Sequence, residues 1–315
     1  MSRPSATSKS KPTVSIVGPG RLGQALAIAL QSSGYPVQAF VARRPIQARK
    51  AAALLARSAS QMERALPILP LGLNDLGKLP PSDLILITTP DDAIEETASR
   101  LVISETESAR GRTVVHTSGA LSSEVLAPLA KAGFHTGSLH PLVSVSEPRA
   151  GAVALRGAFY CLEGDPTALR MARLIVGDLG GKSFSIPPEK KALYHAAAVM
   201  ASPHMVALFD LSTELLASCG VSKKTARQIL LPLVESTVDN LVAMSSEQAL
   251  TGTFGRGDVA TARRHLNAFS GKQLADALAV YKLLGLHSLQ LAKKQGLDPR
   301  VISKLRKLLK PESKL

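Results

Sequence analysis

The sequence has no tryptophan, and Phe, Tyr and Trp together supply only 3% of its 315 residues. A core must therefore come from Ala, Leu, Val and Ile, and no cluster of aromatic side chains offers a stacking platform for bases. That absence bears on the formal charge of +14, from 38 Lys and Arg against 24 Asp and Glu. The cations are spread along the chain, so a nucleic-acid surface is not expected. The milder consequence is attraction of anionic cofactors and carboxylate substrates. Cysteine is scarce too: Cys161 and Cys219 are far apart and lack metal-ligand spacing. No disulfide framework or metal site is expected, a reducing cytoplasm suits the chain, and both thiols read as small core residues. Apolar runs meet Gly, Pro or charge before the roughly 18 consecutive residues of a membrane span, which argues against a transmembrane helix. The opening stretch, residues 1–12, is polar and basic without the apolar centre of a secretory signal, and reads as a disordered lead-in. No nucleophile-elbow serine motif occurs.

What is present is ordinary globular composition, 45% hydrophobic and 20% charged, at a length that suggests two domains. From Thr13 to Leu162, short β-rich runs alternate with helix-forming segments, predicting βαβ units and a parallel sheet. The strand candidates are residues 13–18, 37–42, 83–89, 113–118 and 136–141, and two further runs, 158–164 and 182–188, flank a helix and extend the sheet. Asp91 and Asp92 precede a helical run as a capping arrangement. Beyond Pro188 the texture becomes Ala/Leu-rich and helical. The expected fold is α/β: an N-terminal Rossmann dinucleotide-binding domain over 13–188, then an all-helical domain over 189–315. The first long helix, 189–220, is apolar nearly all round and should kink at Pro203.

The strongest motif is Gly18-Pro19-Gly20-Arg21-Leu22-Gly23, a G-x-G-x-x-G directly after a strand and directly before an Ala-rich helix. Gly18 allows the tight turn, Gly20 lets backbone approach a pyrophosphate, and Gly23 permits close helix–strand packing, while the helix N-terminus presents N–H groups to phosphate. About twenty residues on, where an NAD enzyme places an acid on the ribose hydroxyls, the chain has Arg43 and Arg44. Guanidinium groups there pair with the 2′-phosphate of NADP, so NADP is the expected cofactor. Thr88, Thr89 and Pro90 end a strand at the same sheet edge and are expected to offer backbone contacts to the dinucleotide.

The glycine turn, the strand ends T-T-P-D-D (88–92) and H-T-S-G (116–119), the segment S-L-H-P-L (138–142), and later K-K-A-L-Y-H (190–195) and L-T-G-T-F-G-R-G-D (250–258) together resemble the Rossmann-like plus DUF2520 family. That family is similar to pyrroline-5-carboxylate reductase and the wider 6-phosphogluconate dehydrogenase-like superfamily. The resemblance implies a helical C-terminal domain, usually dimer-forming, and an active site in the cleft between domains; a homodimer is the expected assembly. The chain departs from the family pattern at Ser202-Pro203-His204, where Asn often follows Ala-Ser, and at Thr253, where Pro is common.

Reduction of C=O or C=N by a nicotinamide needs a proton for the developing anion, so a donor that titrates near neutrality is wanted. His195 is one candidate general acid. Lys191 stands four residues before it on the same helical face, as an anchor for a substrate carboxylate or a second proton source, and Tyr194 lies beside both. His140, closing a strand ahead of Pro141, is the alternative donor. Ser118 and Gly119 could meet the nicotinamide and ribose, whereas His116 reads as part of a strand-end network. Tyr194, Asn240, Thr251 and Arg256 are candidate substrate contacts, with Asp258 capping the following helix. The expectation is a cytoplasmic NADPH-dependent reductase of a small keto or imino acid. The alternative is an NADP-binding regulatory or redox-sensing protein without turnover.

Overall fold

The computed structural model describes residues 10–58, 67–104, 111–269, 271 and 274–310; residues 1–9 of the expected lead-in lie outside them. Its contacts divide the chain into two compact units, Met1–Ser202 and Pro203–Leu315. The division falls later than the change of texture at Pro188.

The first unit is a sheet of eight strands in the order β3-β2-β1-β4-β5-β6-β7-β8. β1 (Val14–Val17) leads through α1 (Arg21–Ser32) to β2 (Val37–Ala42), and α2 (Pro45–Ser58) leads to β3 (Leu69–Gly72). The chain then crosses to the far side of β1 with β4 (Leu84–Ile87), α3 (Ile94–Ser104), β5 (Thr113–His116), α4 (Ala127–Lys131) and β6 (His135–Pro141). The order 3-2-1-4-5-6 is the doubly wound arrangement, which places a ligand crevice outside the carboxyl ends of the strands at the β1/β4 switch point. Alternation in each strand divides the core between the two sheet faces: Leu84 and Leu86 join one apolar cluster with α1, while Ile85 and Ile87 join another with Ile94, Ala98 and Leu101 of α3. Each such fully buried side chain contributes about 1.5–3 kcal/mol.

After β6 the sheet changes direction. α5 (Pro148–Ala154) returns the chain so that β7 (Phe159–Gly164) pairs antiparallel with β6; α6 (Pro166–Asp178) then leads to β8 (Lys182–Phe184), parallel to β7. The parallel sheet expected from sequence thus has an antiparallel step. Asp165 fixes this corner by capping α6 at Thr167 N and Ala168 N and accepting from Thr136 N at the start of β6. Gly164 sits there at φ +140°, and a β-carbon on it would press into Gly137 Cα and lie 2.6 Å from Thr136 O. Pro90 precedes a 3₁₀ turn, Asp91–Ala93, without a side-chain cap, so the capping expected of Asp91 and Asp92 is not formed: the 3₁₀ turn occupies the helix entrance instead.

The predicted long helix is two helices, α7 (Lys191–Ala201) and α8 (Pro203–Ala217), separated at Ser202 with φ −127° and ψ −77°. Proline disfavours the helical region for the residue before it, so the expected kink becomes a break. By length and composition alone the stretch Pro188–Ala217 would cross a membrane, a feature the count of uninterrupted apolar residues missed. The break and the enclosed Lys191 within it weigh against a continuous span.

The second unit continues with α9 (Lys223–Ala243), α10 (Ser246–Ala249), α11 (Gly252–Gly255), α12 (Val259–Ala268), α13 (Ala275–Lys294) and α14 (Pro299–Leu309). Ser222, Ser245, Asp258 and Asp298 cap α9, α10, α12 and α14, as expected for Asp258. Ala262, Leu289, Ile302, Leu305 and Leu309 form its core. Cys219 is exposed, contrary to its reading as a core residue, because it follows the end of α8; Cys161 is buried.

Two glycines separate strain from propensity. Gly164→Ala should lower the urea unfolding free energy by about 1–3 kcal/mol or more. Gly177→Ala, on α6 with open space around it, should raise it by about 0.5–1 kcal/mol. Equal effects of the two substitutions would contradict this account.

Candidate functional site

The turn after β1 is built against β4. Gly18 has φ +93°, and a β-carbon on it would lie 2.7 Å from Thr89 N. One on Gly23 would collide with the Thr88 hydroxyl and lie 2.8 Å from Gly18 O. Thr88 Oγ1 donates to Gly18 O at 2.6 Å, and Gly18 N donates to Val41 O at 2.8 Å. Gly20 differs: the nearest atom to a β-carbon there is 3.9 Å away, so its backbone lies open at the N-cap of α1. Pro19 O accepts from Gln24 Nε2 at 2.8 Å, Arg21 is exposed, and Leu22 packs on the core. Thr89 Oγ1 is buried and finds no hydrogen-bond partner among the described residues, while Pro90 is exposed. A bare backbone at a twelve-residue helix's N-terminus and an unpaired buried hydroxyl beside it fit a dinucleotide's pyrophosphate. Arg43 and Arg44 are exposed between β2 and α2, one strand away, with no acid at the end of β2.

Three and four places along the sheet from β1, the strand register collects polar side chains. In the β6–β7 pairing Ser138 opposes Glu163 and His140 opposes Cys161, and directly opposed residues share a face. Leu139 and Leu162 pair between them and enter the core on the other face. Lys191, the first residue of α7, reaches into this polar face. It is 0% exposed, donating to Ser118 O at 3.2 Å and, over a very short distance, to Ser138 Oγ. Burial holds its pKa below the usual lysine value, opposed by Cys161, Glu163 and Asp91.

The loop after β5 is tied down on both sides. His116 Nδ1 accepts from Ser118 N at 3.1 Å, which leaves its proton on Nε2, 3.1 Å from Ser122 O. Burial, reinforced by Lys191, lowers the pKa of His116 to about 3. Ser118 Oγ accepts from Ala120 N and Leu121 N, and Glu163 accepts from Ser123 N at 2.7 Å and Ser123 Oγ at 2.5 Å. The loop so held brings Gly119 against two imidazoles: a methyl there would lie 2.5 Å from His195 Cδ2 and 2.8 Å from His140 Nε2. The two rings meet edge-on at 5.6 Å, and Tyr194 OH lies 2.6 Å from His140 Nδ1. Burial lowers the pKa of His140 to about 4, with smaller contributions from His195 and Lys191, and burial raises that of Tyr194.

Among the sequence candidates, Ser118, Gly119, His140, Lys191, Tyr194 and His195 form one cluster, and Gly18, Gly20, Gly23, Thr88 and Thr89 another in the same unit. Asn240 on α9, Thr251 just before α11 and the exposed Arg256 beyond it belong to the second unit. Sequence reading missed Ser138, Cys161 and Glu163. The available signal was two polar residues at i and i+2 in both G-S-L-H-P and Y-C-L-E-G, each pair lying on one strand face.

Two family models match the chain: "Rossmann-like domain" over residues 1–141 and "Domain of unknown function (DUF2520)" over 158–288. No curated protein matches it. Among solved structures, protein TM1727 from Thermotoga maritima is similar at 25% identity and TM-score 0.66, covering 90% of this chain and 99% of that one. A proposed NADP oxidoreductase, BF3122 from Bacteroides fragilis, matches at 22% identity and TM-score 0.68 over the same shares. A 1-pyrroline-5-carboxylate reductase from Streptococcus pyogenes matches at 15% identity and TM-score 0.56, over 94% of this chain and 98% of that one. The likeness to the last two establishes the fold.

The depressed histidines set a pH signature. Unfolded, both should take up a proton near the usual imidazole value of 6.5, whereas in the folded chain they hold off to about 3 for His116 and about 4 for His140. The unfolded state then binds more protons below pH 6.5, so this stability is present above that pH and lost as pH falls toward 4. Urea unfolding should weaken by up to about 1.4 kcal/mol per pH unit for each histidine across that window. His140→Asn should flatten the slope, and an unchanged slope would contradict the assignment.

Proposed function

Because the chain joins a Rossmann-like domain to a DUF2520 domain, we propose that it is an NADP-dependent reductase of a small keto or imino acid. The observation that carries this reading is the histidine pair His140 and His195 meeting at Gly119, on the loop after β5, in the sheet that carries the glycine turn after β1. The order β1-β4-β5-β6 aligns both features along the carboxyl ends of parallel strands, where an extended dinucleotide lies.

Gly18, Gly20, Gly23 and the first turn of α1 hold the pyrophosphate, and Thr88, Thr89 and Pro90 flank it. Exposed Arg43 and Arg44, in place of an acid, favour the 2′-phosphate of NADP over a free ribose hydroxyl. When bound, the nicotinamide supplies the hydride. Gly119, bare of a side chain, lets both imidazoles close on the loop after β5, and His195 delivers the proton. Lys191 is enclosed and donates to Ser118 and Ser138, so its role here is to hold strand ends together and bias the nearby histidines, in place of the carboxylate anchor expected from sequence. Asn240, Thr251 and Arg256 remain candidates for substrate contacts. The assembly we propose is a homodimer in the cytoplasm: α9 exposes Ile229, Leu233, Val238, Leu241 and Val242, and an apolar surface of that kind suits a second copy.

Fluorescence titration with NADPH and NADH, followed by a panel of keto and imino acids, tests the reading. NADPH should bind more tightly than NADH, and Arg43→Ala/Arg44→Ala should lose on the order of 10–100-fold in NADPH affinity while leaving NADH little changed. His195→Asn should retain nucleotide binding and lose on the order of 10²–10⁴-fold in kcat. Binding of neither nucleotide would overturn the proposal, and binding without turnover of any acid would favour a redox-sensing or regulatory protein.

A further inference from the structure

The loop from the end of β5 to the 3₁₀ turn Ser123–Leu126 commits its backbone amides one after another. Thr117 N donates to Ile87 O, Ser118 N to His116 Nδ1, and both Ala120 N and Leu121 N to Ser118 Oγ. Ser123 N donates to Glu163, and Ser122 is only partly buried. Gly119 stands apart: it is buried, and its N–H finds no hydrogen-bond partner among the described residues. Buried amides are nearly always paired, so one left open in an otherwise bonded loop marks a place for an acceptor from outside the chain.

Two anchors hold the loop around that amide. At one end Ser118 O accepts from Lys191 Nζ at 3.2 Å and from Ser138 Oγ at 3.4 Å. At the other end His116 Nε2 lies 3.1 Å from Ser122 O, and the charged partner is Glu163. This carboxylate, 8% exposed on β7, accepts from Ser123 N at 2.7 Å through one oxygen and from Ser123 Oγ at 2.5 Å through the other. Two charge-assisted bonds to one residue fix direction as well as distance. Residues 119–122 are all that separate the anchors, and Gly119 lies where a methyl would press on His195 and His140.

We propose that Glu163 is a positioning residue: by clamping Ser123 it keeps the Gly119 N–H open, beside the two imidazoles, for an oxygen acceptor of the bound ligand. Glu163 acts through the loop and does not itself meet the reacting group. The use of the amide rests on the reductase reading, in which the oxygen belongs to the nicotinamide carboxamide or to the acid being reduced. The chemistry is the same for both sources: a polarised or anionic oxygen accepts from an N–H that is already in place and need not reorganise.

The test uses the full-length protein labelled with ²H, ¹³C and ¹⁵N, its backbone amides assigned. Without nucleotide, the Ser123 amide should exchange slowly, and Glu163→Leu should speed that exchange about 10–100-fold. Ser123→Ala, at a partly exposed position, removes one of the two bonds and should act in the same direction by a smaller factor, which keeps the test open should Glu163→Leu not fold. Glu163→Gln, whose oxygen still accepts from Ser123 N while its amide donates to Ser123 Oγ, should restore protection. NADP⁺ is then added, followed by oxalate as an unreactive carboxylate. A downfield shift of the Gly119 amide proton with NADP⁺ alone identifies the carboxamide as the acceptor, and one that needs oxalate identifies the acid. No shift at saturation with both, an unprotected Ser123 amide in the parent, or Glu163→Gln behaving like Glu163→Leu would overturn the proposal. With NADPH and the acid that is turned over, Glu163→Leu should lower kcat on the order of 10–100-fold with little change in KM for NADPH, and Glu163→Gln should stay near the parent. Lower stability with kcat retained would make Glu163 merely structural and also overturn the proposal. Exchange needs no nucleotide, so failure to bind NADP⁺ sinks the reductase reading while the clamp is still decided.

Discussion

An ammonium group shut away from water governs the strand ends. Moving an unpaired charge into the interior costs several kcal/mol, and Lys191 offsets this with a backbone carbonyl and a serine hydroxyl, aided at longer range by Glu163 and Asp91. Those acceptors must be in place for the arrangement to hold. Ser138 is fixed by its strand, but Ser118 belongs to a loop, and its carbonyl is available only because His116 and Glu163 bind that loop from either side. The same contacts pin the first turn of α7, so Tyr194 and His195 emerge one turn later at set positions.

Lys191 also divides labour among the histidines. Burial chiefly, helped by Lys191 at both rings and more strongly by His195 at His140, keeps His116 and His140 uncharged, so their hydrogen bonds are those of neutral rings with one donor and one acceptor nitrogen. A proton lodged permanently on either would leave Lys191 facing a second enclosed cation. Within the pair at Gly119 the two rings meet edge-on at 5.6 Å, and both are half-buried.

Much of this was legible in the residues. The glycine turn, its flanking strand and helix, and the strands through His140 carry short-range signals, because a Gly at positive φ and an apolar run each answer a local demand. β3 escaped notice because Pro70 and Gly72 disguise it; as an edge strand it tolerates both. The direction of β7 was not readable, since period-2 alternation is the same for parallel and antiparallel strands. That one unknown concealed the pairing of His140 with Cys161 and of Ser138 with Glu163. The enclosure of Lys191 was hidden for a related reason: a lysine at a helix start reads as exposed until the sheet that receives it is known.

The junction between the two family regions falls between β6 and β7, strands that are hydrogen-bonded neighbours in one sheet. His140 lies on one side of that junction, and Cys161, Lys191, Tyr194 and His195 on the other. A half lacking these side chains, joined at this seam, would leave the polar cluster incomplete even if both halves folded. A cut between residues 141 and 158 therefore separates two hydrogen-bonded strands of one sheet, so neither matched region is a self-contained structural module.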